Sequence, residues 1–261
     1  MNALKIDNLN FSYPDHAVLN DVSLSIEDGE RVGIIGPNGA GKTTLFHSIC
    51  GVLKPNDGTI QLYDQVVKAG KFHPAVGLVF QYPDDQIFSP TVYDDIAFGP
   101  RNMGLSDEEI AVRVEDAMGL TGISDLAERP PHHLSGGQKR MVAIAGIQAM
   151  RPKVIIYDEP SANLDIRSRR RLINFIKASH ETVLLSSHDL EMVVEICNRI
   201  ILIDEGVIIA DGETRSIMGD QKLMEMHGLE KPHSLYLHVQ GEHEHSEEMA
   251  DDHVHGNHVH H

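Results

Sequence analysis

Three features that mark other classes of protein are missing from this chain of 261 residues. The only two cysteines, Cys50 and Cys197, lie far apart in apolar, helix-like segments, so we expect reduced thiols and neither a disulfide nor a cysteine metal site. No apolar run approaches about eighteen residues, and the amino terminus lacks a basic stretch followed by an apolar one. We therefore expect a chain that neither spans a membrane nor is exported.

Positive charge is also scarce in this sequence. Lysine and arginine total 22 against 39 acidic residues, which gives a formal net charge of −17 at pH 7. Residues 241–261 add acid without any lysine or arginine, but the rest of the chain is acidic as well. Broad contact with nucleic acid needs a concentrated basic face, so nucleic acid is not an expected partner.

What the chain does contain is a glycine-rich segment between a strand-like run and a helix-like run. The segment GPNGAGKTT fits G-x-x-x-x-G-K-[ST], follows the apolar residues 32–35 and leads into residues 45–50. In that context glycine lets backbone N–H groups converge on phosphate oxygens at a helix N-terminus. Lys42 would reach the β- and γ-phosphates, and the hydroxyl of Thr43 would bind Mg²⁺. The predicted phosphate cradle consists of Gly36, Pro37, Asn38, Gly39, Ala40, Gly41, Lys42, Thr43 and Thr44.

A second apolar run, residues 154–157, ends in two carboxylates, Asp158 and Glu159. Taken alone, such a pair is as readily an ordinary strand end. Combined with the phosphate cradle, it predicts one metal and nucleotide site, in which Asp158 holds Mg²⁺ and Glu159 polarises the attacking water.

A helix start is indicated at Ser135. Gln138 follows at the spacing of a capping box, two glycines lie between them, and apolar residues continue until Pro152. Such a terminus can bind an anion, although it can also be a helix start and nothing more. The phosphate cradle belongs to another part of the chain, so the anion is expected to come from a second molecule.

One histidine, His188, follows the strand-like residues 182–187. A histidine at a strand end is more often a surface residue than a catalytic one. Its position downstream of Glu159 favours a sensor that hydrogen-bonds the γ-phosphate, while the carboxylate of Glu159 is better suited to act as the base.

In this combination and order the motifs resemble the ATP-binding cassette (ABC) family, over roughly residues 3–215. The resemblance makes Gln81 the Gln loop, residues 134–138 (LSGGQ) the signature, residues 161–165 a loop of the site and His188 the switch histidine. It implies that two cassettes pack head to tail, each ATP lying between one phosphate cradle and the partner's signature. It also implies that Gln81 approaches Mg²⁺ and that Tyr13 stacks on adenine. The signature residues implied to bind the partner's ATP are Ser135, Gly136, Gly137 and Gln138.

The order of strand and helix patterns predicts an α/β fold. Alternation in residues 4–9 and 22–26 indicates an antiparallel pair, and the later alternation of strands and helices indicates a mostly parallel sheet. The resemblance implies a P-loop NTPase cassette with an N-terminal antiparallel sheet and an inserted helical subdomain at about residues 89–150. Residues 1–240 are expected to form the ATPase domain, and residues 241–261 a disordered tail.

Two peptides, FQYPDDQIF at residues 80–88 and TVYDDIAFGP at residues 91–100, narrow the resemblance to the ATPases of energy-coupling factor (ECF) importers. That resemblance implies a second ATPase subunit, identical or paralogous, together with a transmembrane coupling protein and a small membrane protein that captures the substrate. It also implies a peripheral position on the cytoplasmic face of the cell membrane.

The carboxyl-terminal tail mixes histidine with acidic residues. Imidazole and carboxylate together suit Ni²⁺, Co²⁺ or Zn²⁺, with nickel favoured over cobalt by intrinsic affinity. A purification tag or an inert solvated tail would be the alternative, but a tag is usually one unbroken histidine run. The candidate tail ligands are His243, His245, His253, His255, His258 and His260.

The sequence therefore predicts the ATP-hydrolysing subunit of an ECF importer for cobalt or nickel, using ATP and Mg²⁺. One alternative is an ECF ATPase for another micronutrient such as a vitamin, with the histidine tail incidental. A soluble ABC ATPase of DNA repair or translation would usually carry two cassettes or a long coiled-coil insertion, and neither occurs. A nucleotide-gated module without turnover fits poorly with Glu159 and His188.

Overall fold

The computed structural model describes residues 1–236, which contain two β-sheets and eight α-helices. The histidine-rich tail predicted at residues 241–261 lies outside the described residues. Cys50 and Cys197 are both free thiols, as expected. Among residues 1–236, no helix combines the length and the apolar character that crossing a bilayer requires.

The first sheet is antiparallel and has the strand order β2-β1-β4-β5. The predicted pair is confirmed: Leu4 lies opposite Ile26 and Ile6 opposite Leu24, so the alternating apolar side chains share one buried face. The strands are β1 (Asn2–Tyr13), β2 (His16–Glu27), β4 (Asp57–Leu62) and β5 (Gln65–Val66).

The second sheet has the order β10-β9-β3-β8-β7-β6 and is parallel except for β10. Its inner strands read as continuous apolar runs because both faces are covered, one by helices and the other by the first helix together with the antiparallel sheet. The carboxyl ends of β3, β8 and β7 lie side by side, and this adjacency positions the site. The strands are β3 (Arg31–Ile35), β6 (Val76–Val79), β7 (Val154–Asp158), β8 (Thr182–Ser186), β9 (Arg199–Asp204) and β10 (Val207–Glu213).

Three helices stand between β6 and β7 and pack on one another. Two of them begin at capping boxes, one at Ser135 as predicted and one at Ser106, with the reciprocal side-chain bonds to Gln138 and Glu109 both formed. The helices of the described chain are α1 (Lys42–Ile49), α2 (Val92–Asn102), α3 (Asp107–Thr121), α4 (Gly136–Gln148), α5 (Ile166–Ala178), α6 (Leu190–Ile196), α7 (Thr214–Gly219) and α8 (Gln221–Met226).

Candidate functional site

A cavity of about 520 Å³ opens at the carboxyl ends of β3, β7 and β8. Its lining is mainly polar and charged, and its residues come from six separated stretches of the chain. The lining residues are Tyr13, His16, Ala17, Val18, Asn38, Gly39, Ala40, Gly41, Lys42, Thr43, Thr44, Gln81, Asp158, Glu159, His188 and Glu205. We call this the polar cavity.

The loop between β3 and α1 forms the floor of the polar cavity. The ammonium of Lys42 donates to the carbonyls of Gly36 and Pro37 at 2.7 and 2.9 Å, which fixes its position within the loop. Burial lowers the pKa of Lys42 below its ordinary value, and the nearby carboxylates of Glu159 and Asp158 oppose that shift. The loop therefore presents a cation and the free N–H groups of a helix start to one side of the cavity.

Glycine at position 36 is required by close packing. A Cβ atom there would lie 1.9 Å from the carbonyl oxygen of Ile203, and the φ of 152° is one that side chains rarely adopt. Gly39 also has a positive φ, 82°, and a Cβ atom placed there would meet no other atom within 4 Å. Its backbone can approach a phosphate without a side chain in between, so the loop fits a polyphosphate.

Asp158 is held in a fixed orientation by two hydroxyl groups. Thr43 donates to Oδ2 at 2.8 Å, and Ser186 on β8 donates to Oδ1 at 2.6 Å. A hydroxyl and a buried carboxylate side by side are the oxygen ligands that Mg²⁺ prefers. Thr43 and Asp158 therefore fit a magnesium site, with Gln81 at the edge of the same cavity.

Glu159 follows directly, and its backbone is strained with a φ of 47°. Hydrogen bonds from its own N–H to the carbonyl and hydroxyl of Ser186 hold the residue there, at 3.1 and 3.2 Å. The Oε2 atom accepts from the backbone N–H of His188 at 2.9 Å. The Oε1 atom is buried and has no hydrogen-bond partner among residues 1–236; His188 Nε2 lies 3.5 Å from it. This carboxylate oxygen is free to accept a proton or to orient a water.

The structure brings together most of the residues that the sequence nominates. Gly36 and Pro37 do not line the cavity, but their carbonyls accept from Lys42, which does. Tyr13 is 43% exposed at the mouth and packs edge-to-face on Phe11. His16, Ala17, Val18 and Glu205 line the cavity without having been predicted, because only the hairpin turn and the end of β9 bring them there.

The signature residues 134–138 do not line the polar cavity. Ser135 caps α4 through Gln138, and both Ser135 and Gly136 are exposed. The first turn of α4 therefore offers its N–H groups to solvent, away from the chain's own phosphate loop.

A second cavity, of about 500 Å³, lies between α2, α4 and the segment after β6. Its lining is mainly apolar, and Phe72, Phe88 and Phe98 are 62%, 65% and 49% exposed. Asp95 also lines this cavity; its Oδ1 accepts from the N–H groups of Phe88 and Ser89, whereas its Oδ2 is buried and without a partner among the described residues. Its residues are Phe72, Phe80, Asp85, Gln86, Ile87, Phe88, Asp95, Phe98, Gly99, Asn102, Val142, Ala143, Gly146, Ile147 and Met150. We call this the apolar groove.

Comparison with known proteins gives consistent matches over most of the chain. The family model described as ABC transporter matches residues 19–162. A putative ABC transporter ATP-binding protein of Synechocystis is 57% identical over 234 residues, covering 89% of this chain and 82% of that protein. The energy-coupling factor transporter ATP-binding protein EcfA of Methanococcus maripaludis is 41% identical over 246 residues, covering 91% and 88%.

A solved structure agrees with this. The cbiO1 protein of Clostridium perfringens, part of the ABC transporter complex cbiONQ, superposes with a TM-score of 0.77 at 35% identity, covering 91% of this chain and 99% of that one. ATPases of this family bind ATP with Mg²⁺ and work as dimers with transmembrane components. The resemblance that the motifs indicate is thus confirmed, and the chain belongs to the ABC transporter family as an ATP-hydrolysing protein of the energy-coupling factor type.

Proposed function

We propose that this chain energises uptake of a transition-metal ion, cobalt or nickel, as the ATPase subunit of an ECF importer. The importer role is supported by the adjacency of the two cavities along the chain. Phe80 lines the apolar groove and the next residue, Gln81, lines the polar cavity. A partner seated in the groove would therefore touch the segment that reaches the nucleotide.

In the polar cavity the chain's own residues divide the work of ATP hydrolysis. Lys42 and the glycine-rich loop bind the phosphates, Tyr13 stacks on the base, and Glu159 orients the attacking water. Thr43, Asp158 and Gln81 would hold Mg²⁺, which supplies neutralisation of the charge on the β- and γ-phosphates. His188 contacts the γ-phosphate as a sensor.

The signature completes a second site in a partner subunit, identical or paralogous. Ser135, Gly136, Gly137 and Gln138 contact the partner's ATP, because the exposed first turn of α4 faces away from their own phosphate loop. Residues 1–240 form this ATPase domain, with residues 89–150 as its helical subdomain.

The apolar groove takes a helix of a transmembrane coupling protein. Exposed aromatic rings suit the apolar face of an amphipathic helix, and Asp95, whose Oδ2 has no partner among the described residues, suits a basic residue on that helix. The chain would then lie on the cytoplasmic face of the cell membrane, with a substrate-capturing membrane protein held by the coupling protein.

The composition of the carboxyl-terminal tail is the reason for proposing a metal ion as the substrate. Its histidines at 243, 245, 253, 255, 258 and 260 share the segment with six carboxylates, a donor set suited to Ni²⁺ and Co²⁺. Calorimetry with Ni²⁺ on the full chain, and on a chain ending at Gln240, measures this directly. Replacing the exposed pair His132 and His133 by Gln is the matched control, since these rings touch each other outside the tail.

Uptake in cells tests the whole proposal. The chain is expressed with the membrane proteins encoded beside it, and entry of labelled nickel, cobalt and a vitamin is compared for the parent and for Lys42→Ala. Metal uptake that needs Lys42 supports the proposal. Vitamin uptake without metal uptake would establish the alternative ECF substrate. Uptake that is unchanged in Lys42→Ala would show that this ATPase does not energise it.

A further inference from the structure

The signature helix α4 contains an arginine that is buried and has no counter-ion. Arg140 is 1% exposed, and no carboxylate of residues 1–236 lies within ion-pair distance of it. Burial lowers the pKa of this guanidinium to about 10. An uncompensated buried charge is costly, so its retention in this position calls for an explanation.

The partners of Arg140 are two successive backbone carbonyls in the Gln loop. Nη1 donates to the carbonyl of Phe80 at 2.5 Å, and Nη2 donates to the carbonyl of Gln81 at 2.6 Å. Charge-assisted bonds of this kind are roughly twice as strong as neutral ones, and the planar fork fixes direction as well as distance. The helix that begins at the signature is thus joined to the residue that reaches the polar cavity.

The ECF-type peptide after the Gln loop makes the same connection from the other side. Gln86 accepts from the N–H of Phe80 at 3.1 Å and donates to the carbonyl of Ala143 on α4 at 3.4 Å. Asp84 pairs with Lys139 at 2.5 Å. The Phe80 peptide is therefore held at both its N–H and its carbonyl by side chains that are part of α4 or are bonded to it.

We propose that Arg140 is a positioning residue that makes the Gln loop and α4 move as one body, so that the chain's own nucleotide at Gln81 and the partner's nucleotide at Ser135 are sensed together. This rests on the proposed nucleotide site and its sandwich dimer. Arg140 touches neither nucleotide. Its two hydrogen bonds prevent Gln81 from moving toward the polar cavity unless α4, which begins at the signature, moves with it.

The test is a double-mutant cycle between Gln81→Ala and Ser135→Ala, with ATP-driven dimer formation measured by sedimentation. All variants carry Glu159→Gln, which stops hydrolysis. With Arg140 present, we expect the two effects to be non-additive by at least about fivefold in the dimerisation constant. With Arg140→Met they become additive to within about twofold, while ATP affinity of the monomer changes less than about twofold because Lys42 and Thr43 make no contact with Arg140.

A matched control separates positioning from plain stability. Arg171 on α5 also donates to two successive carbonyls, those of Thr121 and Gly122, both at 2.7 Å, and it lines neither the polar cavity nor the apolar groove. Arg171→Met should lower the melting temperature and leave the coupling intact. If Arg140→Met does not fold, Gln86→Met is used instead, because it removes the hydrogen bonds by which Gln86 connects Phe80 to α4. The same loss of coupling is expected.

Coupling that survives in folded Arg140→Met, or in Gln86→Met where Arg140→Met does not fold, overturns the inference, as does an equal loss in Arg171→Met. The proposed function fails in a distinguishable way: the Glu159→Gln parent itself would then form no dimer with ATP, and the inference would fall with it.

Discussion

The polar cavity and the apolar groove have nearly the same volume, about 520 and 500 Å³, and opposite chemistry. In the polar cavity, side chains such as Asp158 and Lys42 are already held by hydrogen bonds from the protein. In the groove, Phe88 and Phe98 meet edge-to-face and otherwise face solvent. A cavity whose groups are pre-oriented suits chemistry on a small charged substrate, whereas an exposed aromatic surface suits another protein.

The largest expected effect is in the polar cavity, at Glu159. Glu159→Gln keeps the size of the side chain and removes its ability to accept a proton, so we expect ATP turnover to fall by about 10²–10⁴-fold with ATP still bound. Phosphate release by the purified dimer measures this. Glu115→Gln, an exposed change on α3, is the control. Unchanged turnover in Glu159→Gln would remove it as the base.

A smaller effect in the same cavity is expected at Ser186. Ser186→Ala removes the hydroxyl that orients Asp158, so the Mg²⁺ concentration needed for half-maximal hydrolysis should rise by about 10–100-fold. Titration of hydrolysis with Mg²⁺ measures this. Ser179→Ala removes a hydroxyl that, among residues 1–236, bonds only to the carbonyl of Ile176, and it should leave the titration unchanged. An identical response of both variants would show that Asp158 needs no such support.

A substitution in the apolar groove should affect binding of the membrane partner more than ATP hydrolysis. Phe98→Glu places a charge on the aromatic surface, so binding to the membrane partner should weaken by at least about tenfold, which is more than the change in hydrolysis by the isolated ATPase. Co-purification from detergent measures the binding. Val112→Glu, at an exposed valine of α3 outside both cavities, is the control. If Phe98→Glu instead reduces hydrolysis more than binding, the groove is needed for hydrolysis itself and the two cavities do not have separate functions.

The smallest expected effect concerns thiol reagents. Neither cavity is lined by cysteine, and burial raises the pKa of Cys50 and of Cys197 to about 12. Few thiolates therefore exist near neutral pH, and N-ethylmaleimide should leave both hydrolysis and partner binding unchanged. Ellman's reagent should react slowly with the folded protein and count two thiols in urea. Rapid inactivation would mean that a thiol is reactive in the folded protein and that its modification impairs hydrolysis or partner binding.

The polar cavity could be predicted from sequence much further than the groove. The phosphate loop, the Asp158–Glu159 strand end and the Ser135 capping box are local patterns with a physical meaning at fixed spacing. The groove gathers aromatic residues from separate segments, and each of them read alone is an ordinary apolar residue. The two peptides at residues 80–88 and 91–100 carry no local pattern that predicts a groove, and only their resemblance to those of ECF ATPases indicates a function.

Arg140 shows a different limit of sequence reading. A lone arginine early in a helix is normally solvated, and its burial follows from the tertiary packing of α4, whose residues 140–145 are all buried. One signal was available: the apolar residues after it continue around the whole helix and leave no face for solvent. The partner carbonyls of the Gln loop are nearly sixty residues earlier in the chain, so no local pattern predicts them.

The central place of β8, between β3 and β7, has a consequence for how such a chain can evolve. Because successive side chains point to opposite faces, deleting one residue there would turn Ser186 away from Asp158 and displace His188 at the same time. Insertions and deletions should therefore be selected against in β8. They should be tolerated in surface turns such as that around Gly70, where an added Cβ atom would meet no other atom within 4 Å.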